Sequence, residues 1–312
     1  MSLRHRGEAA ALRIAAALVG PLPRRAIPAL GAALGAAAWV FSARRRRTAL
    51  ENLSIAYGAS LPESERRRIA RGAFSQFGRL LIEGLRLPRL RCDDHDSPGS
   101  YVRYNGLERA RAAYESGRGV IVFSAHFGNW ELTAAMQACL GMPLTMVTRP
   151  LDNPHLETLL AETRGVRGNR LVHKKNALRP LLAALTRGGG IAILIDQNVR
   201  DGSAVWVPYF GRAAATTPAL GLLALRTNAV VLPVFSLPQA DGSYEVTYLP
   251  VVVPETTGDR AADALRLTAR CTEVIEEQVR RHPTAWLWMH ERWKTRPIEE
   301  IRARRRGAGG AA

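Results

Sequence analysis

The stretch VIVFSAHFGNWE, residues 120–131, joins a short apolar run to a group of polar and aromatic residues. A β-branched run of this length, bounded by Gly119 and Ser124, predicts a buried strand. In open α/β sheets, ligands bind at the carboxyl ends of the strands, and this strand delivers His126 to that position. Because the ordinary pKa of histidine lies close to neutrality, His126 is a candidate general base.

Glu131 follows His126 by five positions and is the candidate partner of the imidazole. A carboxylate beside a histidine can fix its tautomer and stabilise the imidazolium that forms when the ring takes a proton. Residues five apart do not share a helix face, so the two side chains meet only if the backbone bends, which Gly128 permits. Such a pair also occurs by chance. A structural zinc site is disfavoured, because no second histidine stands four residues from His126.

The rest of the chain alternates strand and helix patterns, which predicts an α/β fold with a mixed, mostly parallel sheet flanked by helices. Asp241 and Gly242 predict a hairpin turn and hence an antiparallel portion. The predicted strands are Val120–Ser124, Leu144–Val147, Ile191–Ile195, Val230–Phe235 and Tyr244–Val252. The predicted helices are Leu61–Leu87, Trp130–Leu140, Pro154–Arg164, Ala177–Thr186, Pro218–Arg226 and Arg260–Arg281, with a loop over Cys92–Ser100.

Composition limits the partners that the chain can take. Its 312 residues include 44 Lys plus Arg against 27 Asp plus Glu, a formal charge of +17. Such a field favours nucleic acid, an acidic membrane surface, an acidic carrier protein or a phosphorylated lipid. Cys92, Cys139 and Cys271 lack metal or disulfide spacing, which predicts inert thiols in a reducing compartment.

The N-terminal segment, residues 1–47, combines many arginines with an uncharged stretch from Ala26 to Ala43. That stretch is slightly shorter than the ~20 residues of a spanning helix. Gly31 and Gly35 have the spacing that permits close helix packing. The alternatives are a buried helix and a helix that dips into or lies on the cytoplasmic face of a membrane; we favour the second. Residues 48–298 form the predicted catalytic domain, and 299–312 a disordered basic tail.

The segment Ser124–Leu132 resembles the His-x4-Asp/Glu motif of the bacterial lipid A late acyltransferases and phosphatidylinositol mannoside acyltransferases, which are lysophospholipid acyltransferase-like. Further matches follow in the family's order, from about Leu22 to Pro297. They are Ala49–Leu53, Thr148–Pro150 with Asn153–Pro154, Arg164 with Gly165, Asp196–Asn198, Val207–Gly211, Thr216–Pro218 and Trp288–Lys294.

The resemblance implies transfer of a fatty acyl group from a thioester to a hydroxyl of a glycolipid or lysophospholipid, without a cofactor or metal. The implied donor is acyl carrier protein, which the basic charge favours, or acyl-coenzyme A as in the mannoside branch. The implied location is the cytoplasmic face of the inner membrane, on anionic lipids. It makes His126 and Glu131 the catalytic pair and implies substrate binding by Arg149, Arg164, Asp196 and Gln197.

Trp286, Trp288 and Trp293 lie among basic residues near the C-terminus. They could stack on single-stranded nucleic acid, anchor at a membrane interface or pack inside the protein, and we favour packing. No nucleic-acid-binding motif accompanies them. The alternative to an enzyme is a non-catalytic basic protein that binds a membrane or nucleic acid. Such a protein would not require a base and an orienting acid at a strand end, so His126 and Glu131 favour the enzyme.

Overall fold

The computed structural model describes residues 3–97, 99–165, 167–200, 202–298 and 300. Most of the predicted disordered tail therefore lies outside the described residues. The helices are α1 (Leu3–Val19), α2 (Ile27–Phe41), α3 (Ala43–Tyr57), α4 (Glu63–Gly84), α5 (Leu107–Glu115), α6 (Trp130–Cys139), α7 (Pro154–Gly165), α8 (Leu178–Thr186), α9 (Ala219–Thr227) and α10 (Arg260–Arg281). The strands are β1 (Val102–Asn105), β2 (Val120–Ser124), β3 (Leu144–Thr148), β4 (Arg170–His173), β5 (Gly190–Leu194), β6 (Val205–Tyr209), β7 (Arg212–Thr216), β8 (Val230–Pro238) and β9 (Tyr244–Tyr248).

Seven strands form one sheet in the order β1-β9-β8-β2-β5-β3-β4, and β6 pairs with β7 in a separate ribbon. Within the large sheet, β8 and β9 are antiparallel and the other neighbours are parallel. The predicted α/β class and mostly parallel sheet are confirmed, and so is the hairpin between β8 and β9. The central strand β2 lies between β8 and β5, which places its carboxyl end in the middle of the sheet edge.

Both faces of the sheet are covered, which explains the continuous apolar run of β2. All five of its residues are buried. Ile121 and Phe123 pack into one hydrophobic cluster with residues of α3, α4, α8, α9 and α10, while Val120 and Val122 pack into a second with residues of α5 and α6. Successive side chains of a strand point to opposite faces of the sheet. A strand that is covered on both faces is therefore apolar along most of its length, as Val120–Phe123 are in β2.

α2 packs against α4 through glycines. Gly31 and Gly35 are buried, and a Cβ built on Gly35 would lie 2.5 Å from the backbone oxygen of Phe74. On the other side of the contact, a Cβ on Gly78 would lie 2.3 Å from the backbone oxygen of Gly31. The backbones of the two helices therefore touch, as the small-residue spacing predicts. One face of α2 is thus buried within the protein.

Outside this buried stripe, α2 carries exposed apolar side chains. Leu30, Leu34, Val40 and Phe41 expose 38%, 41%, 64% and 85% of their surface. Among the described residues, no single helix is both long enough and apolar enough to span a bilayer. The consecutive segments Arg24–Phe41 and Ala43–Ser60 reach that length and composition only together, and the chain bends by 97° between them.

The prediction of three unpaired cysteines is wrong for two of them. Cys92 and Cys139 form a disulfide, with Cα atoms 5.0 Å apart. Their separation of 47 positions is no recognisable disulfide spacing, and only the fold brings the loop after α4 to the end of α6. Cys271 is free and buried, and burial raises the pKa of its thiol. Its inert character is therefore consistent with the prediction.

Candidate active site

His126 and Asp196 lie at equivalent positions beyond two neighbouring strands. The register pairs Ser124 at the end of β2 with Leu194 at the end of β5, and each functional residue follows two positions later. Parallel strands end at the same edge of a sheet, so His126 and Asp196, which are 70 positions apart in the sequence, come into direct contact. The Nδ1 atom of His126 lies 2.8 Å from Oδ1 of Asp196.

Asp196 is buried and fully engaged by hydrogen-bond donors. Its Oδ2 accepts from the backbone N–H of His126 at 2.9 Å and from the indole N–H of Trp286 at 2.8 Å. Burial alone would raise the pKa of Asp196, but the charge of His126 and these hydrogen bonds lower that pKa to about 2. The carboxylate is therefore ionised at neutral pH, and it holds the hydrogen of His126 on Nδ1.

The other ring nitrogen of His126 faces the open side of the site. Its Nε2 lies 3.0 Å from the side-chain amide nitrogen of Gln197. With the hydrogen on Nδ1, Nε2 carries the lone pair and accepts from this amide. Arg292 fixes the loop that presents Gln197, because its buried guanidinium donates to the backbone oxygens of Gln197 and Ala215. The amide of Gln197 thus occupies the hydrogen-bonding position at Nε2.

Glu131 does not orient His126, contrary to the expectation from sequence. Its carboxylate forms a two-point ion pair with Arg164, in which Oε2 accepts from Nε at 2.8 Å and Oε1 from a terminal nitrogen. The side chains of Arg164 and Glu131 expose 23% and 19% of their surface. The reason is geometric: Asp196 arrives from the neighbouring strand at the back of the ring, while Glu131 begins α6 and faces α7. The structure thus brings five of the six proposed site residues into two groups, His126 with Asp196 and Gln197, and Glu131 with Arg164.

The turn between His126 and α6 is clamped on both sides. Gly128 has a φ of +58°, and a Cβ at this position would lie 1.7 Å from the backbone oxygen of Ser236 in β8. On the other side, the backbone N–H of Gly128 donates to Ala285, and that of Leu287 donates to His126. Only glycine fits this approach. The bend that the sequence predicts at Gly128 is therefore present, but it serves the packing of the turn.

Asn129 connects this turn to a buried polar network. Its Oδ1 caps α6 by accepting from the backbone of Leu132 at 3.0 Å, and its Nδ2 donates to Glu83 of α4 at 2.7 Å. Glu83 also accepts from Tyr244 and from Arg79, whose Nε lies 3.0 Å away. A buried carboxylate needs such partners, because desolvation without them is costly. The network ties the N-terminus of α6 to α4 and β9.

The remaining candidates occupy different surroundings. Arg149 is exposed just beyond β3, at the same carboxyl edge of the sheet. Trp286, Trp288 and Trp293 expose 1%, 0% and 4% of their surface, so they pack in the core as we favoured. Their burial leaves no face for stacking on nucleic acid. Burial also lowers the pKa of nearby His290 to about 4, so its imidazole is neutral at neutral pH.

Two contributors to the site could not be assigned from sequence. Trp286 was identified only as an aromatic residue, yet its indole holds Asp196. Asn129 lies inside the motif, and its position just before a predicted helix was the available signal for a capping residue. Among the residues that the structure describes, no group of three His, Cys, Asp or Glu side chains is arranged to hold a metal ion.

Comparisons with known proteins identify the family of the chain. Residues 2–295 match the family model of the bacterial lipid A biosynthesis acyltransferases. The chain is 30% identical over 286 residues to the lipid A biosynthesis palmitoleoyltransferase of Escherichia coli K12, covering 89% of this chain and 88% of that protein. It is 29% identical over 284 residues to the lipid A biosynthesis lauroyltransferase of the same strain, covering 90% and 89%.

A more distant relative extends the likeness to another acceptor class. The chain is 24% identical over 240 residues to the phosphatidylinositol mannoside acyltransferase of Mycolicibacterium smegmatis, covering 76% of each protein. The match to the family model spans nearly the whole chain and includes every residue of the site described above. The chain therefore belongs to the bacterial lipid A biosynthesis acyltransferase family.

Proposed function

We propose that the protein transfers a fatty acyl group from an acyl thioester to a hydroxyl of a lipid A-type glycolipid, with His126 as general base. The observation that carries this proposal is the contact of 2.8 Å between Nδ1 of His126 and Asp196, which leaves Nε2 of the same ring facing the open side of the site. Asp196 takes the orienting role that we had expected of Glu131. The family relationship supports acyl transfer as the reaction.

In the proposed reaction, the acceptor hydroxyl displaces the amide of Gln197 from Nε2 of His126 and gives its proton to that nitrogen. The hydroxyl oxygen forms a bond to the thioester carbonyl carbon, and the carbonyl electron pair moves to its oxygen. Collapse of this tetrahedral species breaks the carbon–sulfur bond, and the imidazolium returns the proton to the departing thiolate. Asp196 stabilises the transient imidazolium through Nδ1. No acyl-enzyme intermediate is required.

The pair Arg164–Glu131 lies on α7 and at the start of α6, beside this reaction centre. A guanidinium presents several N–H groups in a planar fork, which suits phosphate and carboxylate oxygens. We assign Arg164 to an anionic group of a substrate, with Glu131 holding the guanidinium in orientation. Arg149, exposed at the same edge, is assigned to the same class of contact.

Substitution of the base tests the proposal. His126→Ala should lower kcat by about 10²–10⁴-fold, the usual contribution of a general base, while the protein remains folded. Asp196→Asn should lower kcat by a similar factor, because the tautomer of the ring is no longer fixed. The measurement is transfer of a labelled acyl group to a lipid A precursor from the thioesters of both carrier protein and coenzyme A.

A matched control is available in the exposed loop before β1. His95→Ala removes another His–Asp contact, between Nδ1 and Asp96 at 3.4 Å, outside the site. Its activity should equal that of the wild type. Near-wild-type turnover by His126→Ala would overturn the mechanism, and the absence of acyl transfer by the wild type from either donor would overturn the function.

For the donor, we propose acyl carrier protein. Exposed basic residues follow the strands at the carboxyl edge of the sheet, with Arg149 beyond β3 and Lys174 and Lys175 beyond β4. An acidic protein gains long-range steering from such a patch and from the +17 field, an effect on the association rate that salt screens. A coenzyme A thioester needs only local contacts.

Charge removal at this edge tests the donor. The double variant Lys174→Ala/Lys175→Ala should lower kcat/KM for acyl carrier protein several-fold at low salt, with little change for acyl-coenzyme A. The matched control, Arg111→Ala/Arg187→Ala, removes two exposed charges from α5 and from the turn after α8. Equal or better use of acyl-coenzyme A by the wild type, without salt dependence, would transfer the assignment to the mannoside-type donor.

For location, we propose that the exposed apolar face of α2 rests on the cytoplasmic surface of the inner membrane. Arg24 and Arg25 precede α2, and Arg44 and Arg45 follow it, so the face is flanked by cations that suit anionic headgroups. Leu34→Asp/Phe41→Asp should release the full chain from vesicles that contain anionic lipid. Leu178→Asp/Val253→Asp, at apolar residues exposed elsewhere, is the control. Retention of the first variant would place the membrane contact elsewhere.

A further inference from the structure

A small cleft lies between α4 and the turn that carries His126. Its α4 wall consists of Ala73, Gln76, Phe77 and Leu80, and its other wall of His126, Gly128, Trp130, Ala285, Trp286 and Leu287. Except for Gln76, His126 and the ring nitrogens of the tryptophans, this lining is apolar. The space between these walls is about 10 Å³, which is room for one oxygen-sized group and not for an acyl chain.

Gln76 is the exception on the α4 wall. Its side-chain nitrogen Nε2 is buried and has no hydrogen-bond partner among the described residues. A buried donor without a partner costs about 1–3 kcal/mol, so such a group in a native protein calls for an explanation, for example a catalytic role or an ordered water. The other nearby amide, that of Gln197, already donates to His126. Gln76 therefore presents an unused donor in the same cleft as the base.

We infer that this cleft receives the carbonyl oxygen of the acyl thioester and that Gln76 donates a hydrogen bond to that oxygen. The inference rests on the proposed function. As the hydroxyl oxygen adds to the carbonyl carbon, the carbonyl electron pair moves to its oxygen, and the Gln76 amide stabilises the negative charge there. When the carbon–sulfur bond breaks, the pair returns to form the ester carbonyl.

Gln76→Met tests the donor role, because methionine keeps a similar length and suits a helix but offers no N–H. We expect kcat to fall by about 10²-fold, the range for loss of one oxyanion donor, while KM for the thioester changes little. A residue that only supports the fold would instead change thermal stability and affect both kinetic constants. Unchanged kcat in a folded Gln76→Met protein would overturn the inference.

Gln76→Glu provides a second test that a structural role does not predict. The carboxylate has the shape of the amide, but when ionised it repels the developing oxyanion, and only its protonated form can donate. The deficit relative to the wild type at the same pH should therefore be largest at pH 8 and should shrink as the pH falls. A deficit that stays constant or grows as the pH falls would contradict the donor role.

The control is Ser75→Ala, one residue earlier on α4, whose hydroxyl donates to the backbone oxygen of Arg71. It should retain wild-type kcat. The outcome also separates this inference from the proposed function. Loss of activity in His126→Ala together with normal activity in Gln76→Met would leave the function intact and remove the role of Gln76. Inactivity of the wild type itself would remove both.

Discussion

Two Arg–Glu ion pairs adjoin the segment from His126 to Glu131, and they differ in how completely they are enclosed. The side chains of Arg79 and Glu83 expose only 6% and 1% of their surface, whereas Arg164 and Glu131 expose 23% and 19%. The buried pair has many partners: Arg79 also donates to the backbone oxygens of Gln239, Gly242 and Ser243. The second pair is held mainly by its own two-point contact.

The difference indicates what each pair does. A buried pair whose donors and acceptors are all used by the fold has no capacity left for a substrate, so it serves to position the backbone. A partly exposed pair next to the base keeps polar atoms within reach of a ligand. Substitutions in the two pairs should therefore separate stability from catalysis, and the same comparison extends to the far end of α6 and to the surface of α4.

The largest effect is expected at the buried pair. Glu83→Ala leaves the Arg79 charge buried without its carboxylate and Asn129 without its acceptor, and it should lower the free energy of unfolding by about 3–5 kcal/mol. Urea denaturation measures this loss. Arg79→Met/Glu83→Leu, which removes both charges, should recover part of it. A double variant less stable than Glu83→Ala, or a loss below about 1 kcal/mol for Glu83→Ala, would show that the pair does not hold the turn.

The next effect concerns the opposite end of α6, which the disulfide anchors. Asn129 fixes the first turn of this helix, and Cys139 fixes its last residue to Cys92. Closing a loop of this length should stabilise the protein by about 2–4 kcal/mol. Cys92→Ser/Cys139→Ser should lose that amount in urea denaturation without reductant. The matched control, Cys271→Ser, changes a cysteine outside the disulfide. Equal stability of wild type and double variant would show that the bond contributes nothing.

The partly exposed pair should give the reverse result. Glu131→Gln should lower kcat/KM by about 10–10²-fold, because Arg164 loses its orientation, but should change the unfolding free energy by less than about 1 kcal/mol, as for ion pairs open to solvent. Steady-state kinetics and thermal denaturation of the same preparation measure both. A stability loss as large as that of Glu83→Ala, with normal kinetics, would remove the distinction between the pairs.

The smallest effect is expected for an exposed pair on the same helix as Glu83. Arg67 and Glu63 lie one turn apart at the start of α4, with 52% and 66% of their side chains exposed. Arg67→Ala should change the unfolding free energy by no more than about 0.5 kcal/mol and leave activity unchanged. This variant provides the baseline for the three larger effects. A loss of several kcal/mol here would mean that charge on α4, and not enclosure, governs stability.

The sequence was sufficient for the elements with strong patterns. The helix predicted over Arg260–Arg281 is observed with the same bounds, and so is the strand Val120–Ser124. The edge strands β1 and β4 were missed because each has four residues with little apolar content. The ribbon β6–β7 was missed because Pro208 and three alanines disfavour a strand on propensity alone.

In the site, too, the features that depend on neighbouring residues in the sequence could be predicted, and the contacts between distant residues could not. The place of His126 follows from its own strand, and the same reasoning put Asp196 at another strand end. Sequence could not show that β5 is the neighbour of β2, since strand order is a property of the whole sheet. The nearest carboxylate along the chain, Glu131, was therefore chosen over the nearest one in space. The pairing of Cys92 with Cys139 was inaccessible for the same reason.

The glycine contact between α2 and α4 has a consequence for how a lipid surface could influence the reaction. α4 is a common wall: its Gly78 side touches the backbone of α2, and its Gln76–Leu80 side borders the cleft beside His126. With no side chain between the two backbones, α2 cannot tilt without moving α4. If α2 rests on lipid as proposed above, the depth at which it sits would change the width of the cleft, and lipid composition would then affect the rate of the reaction.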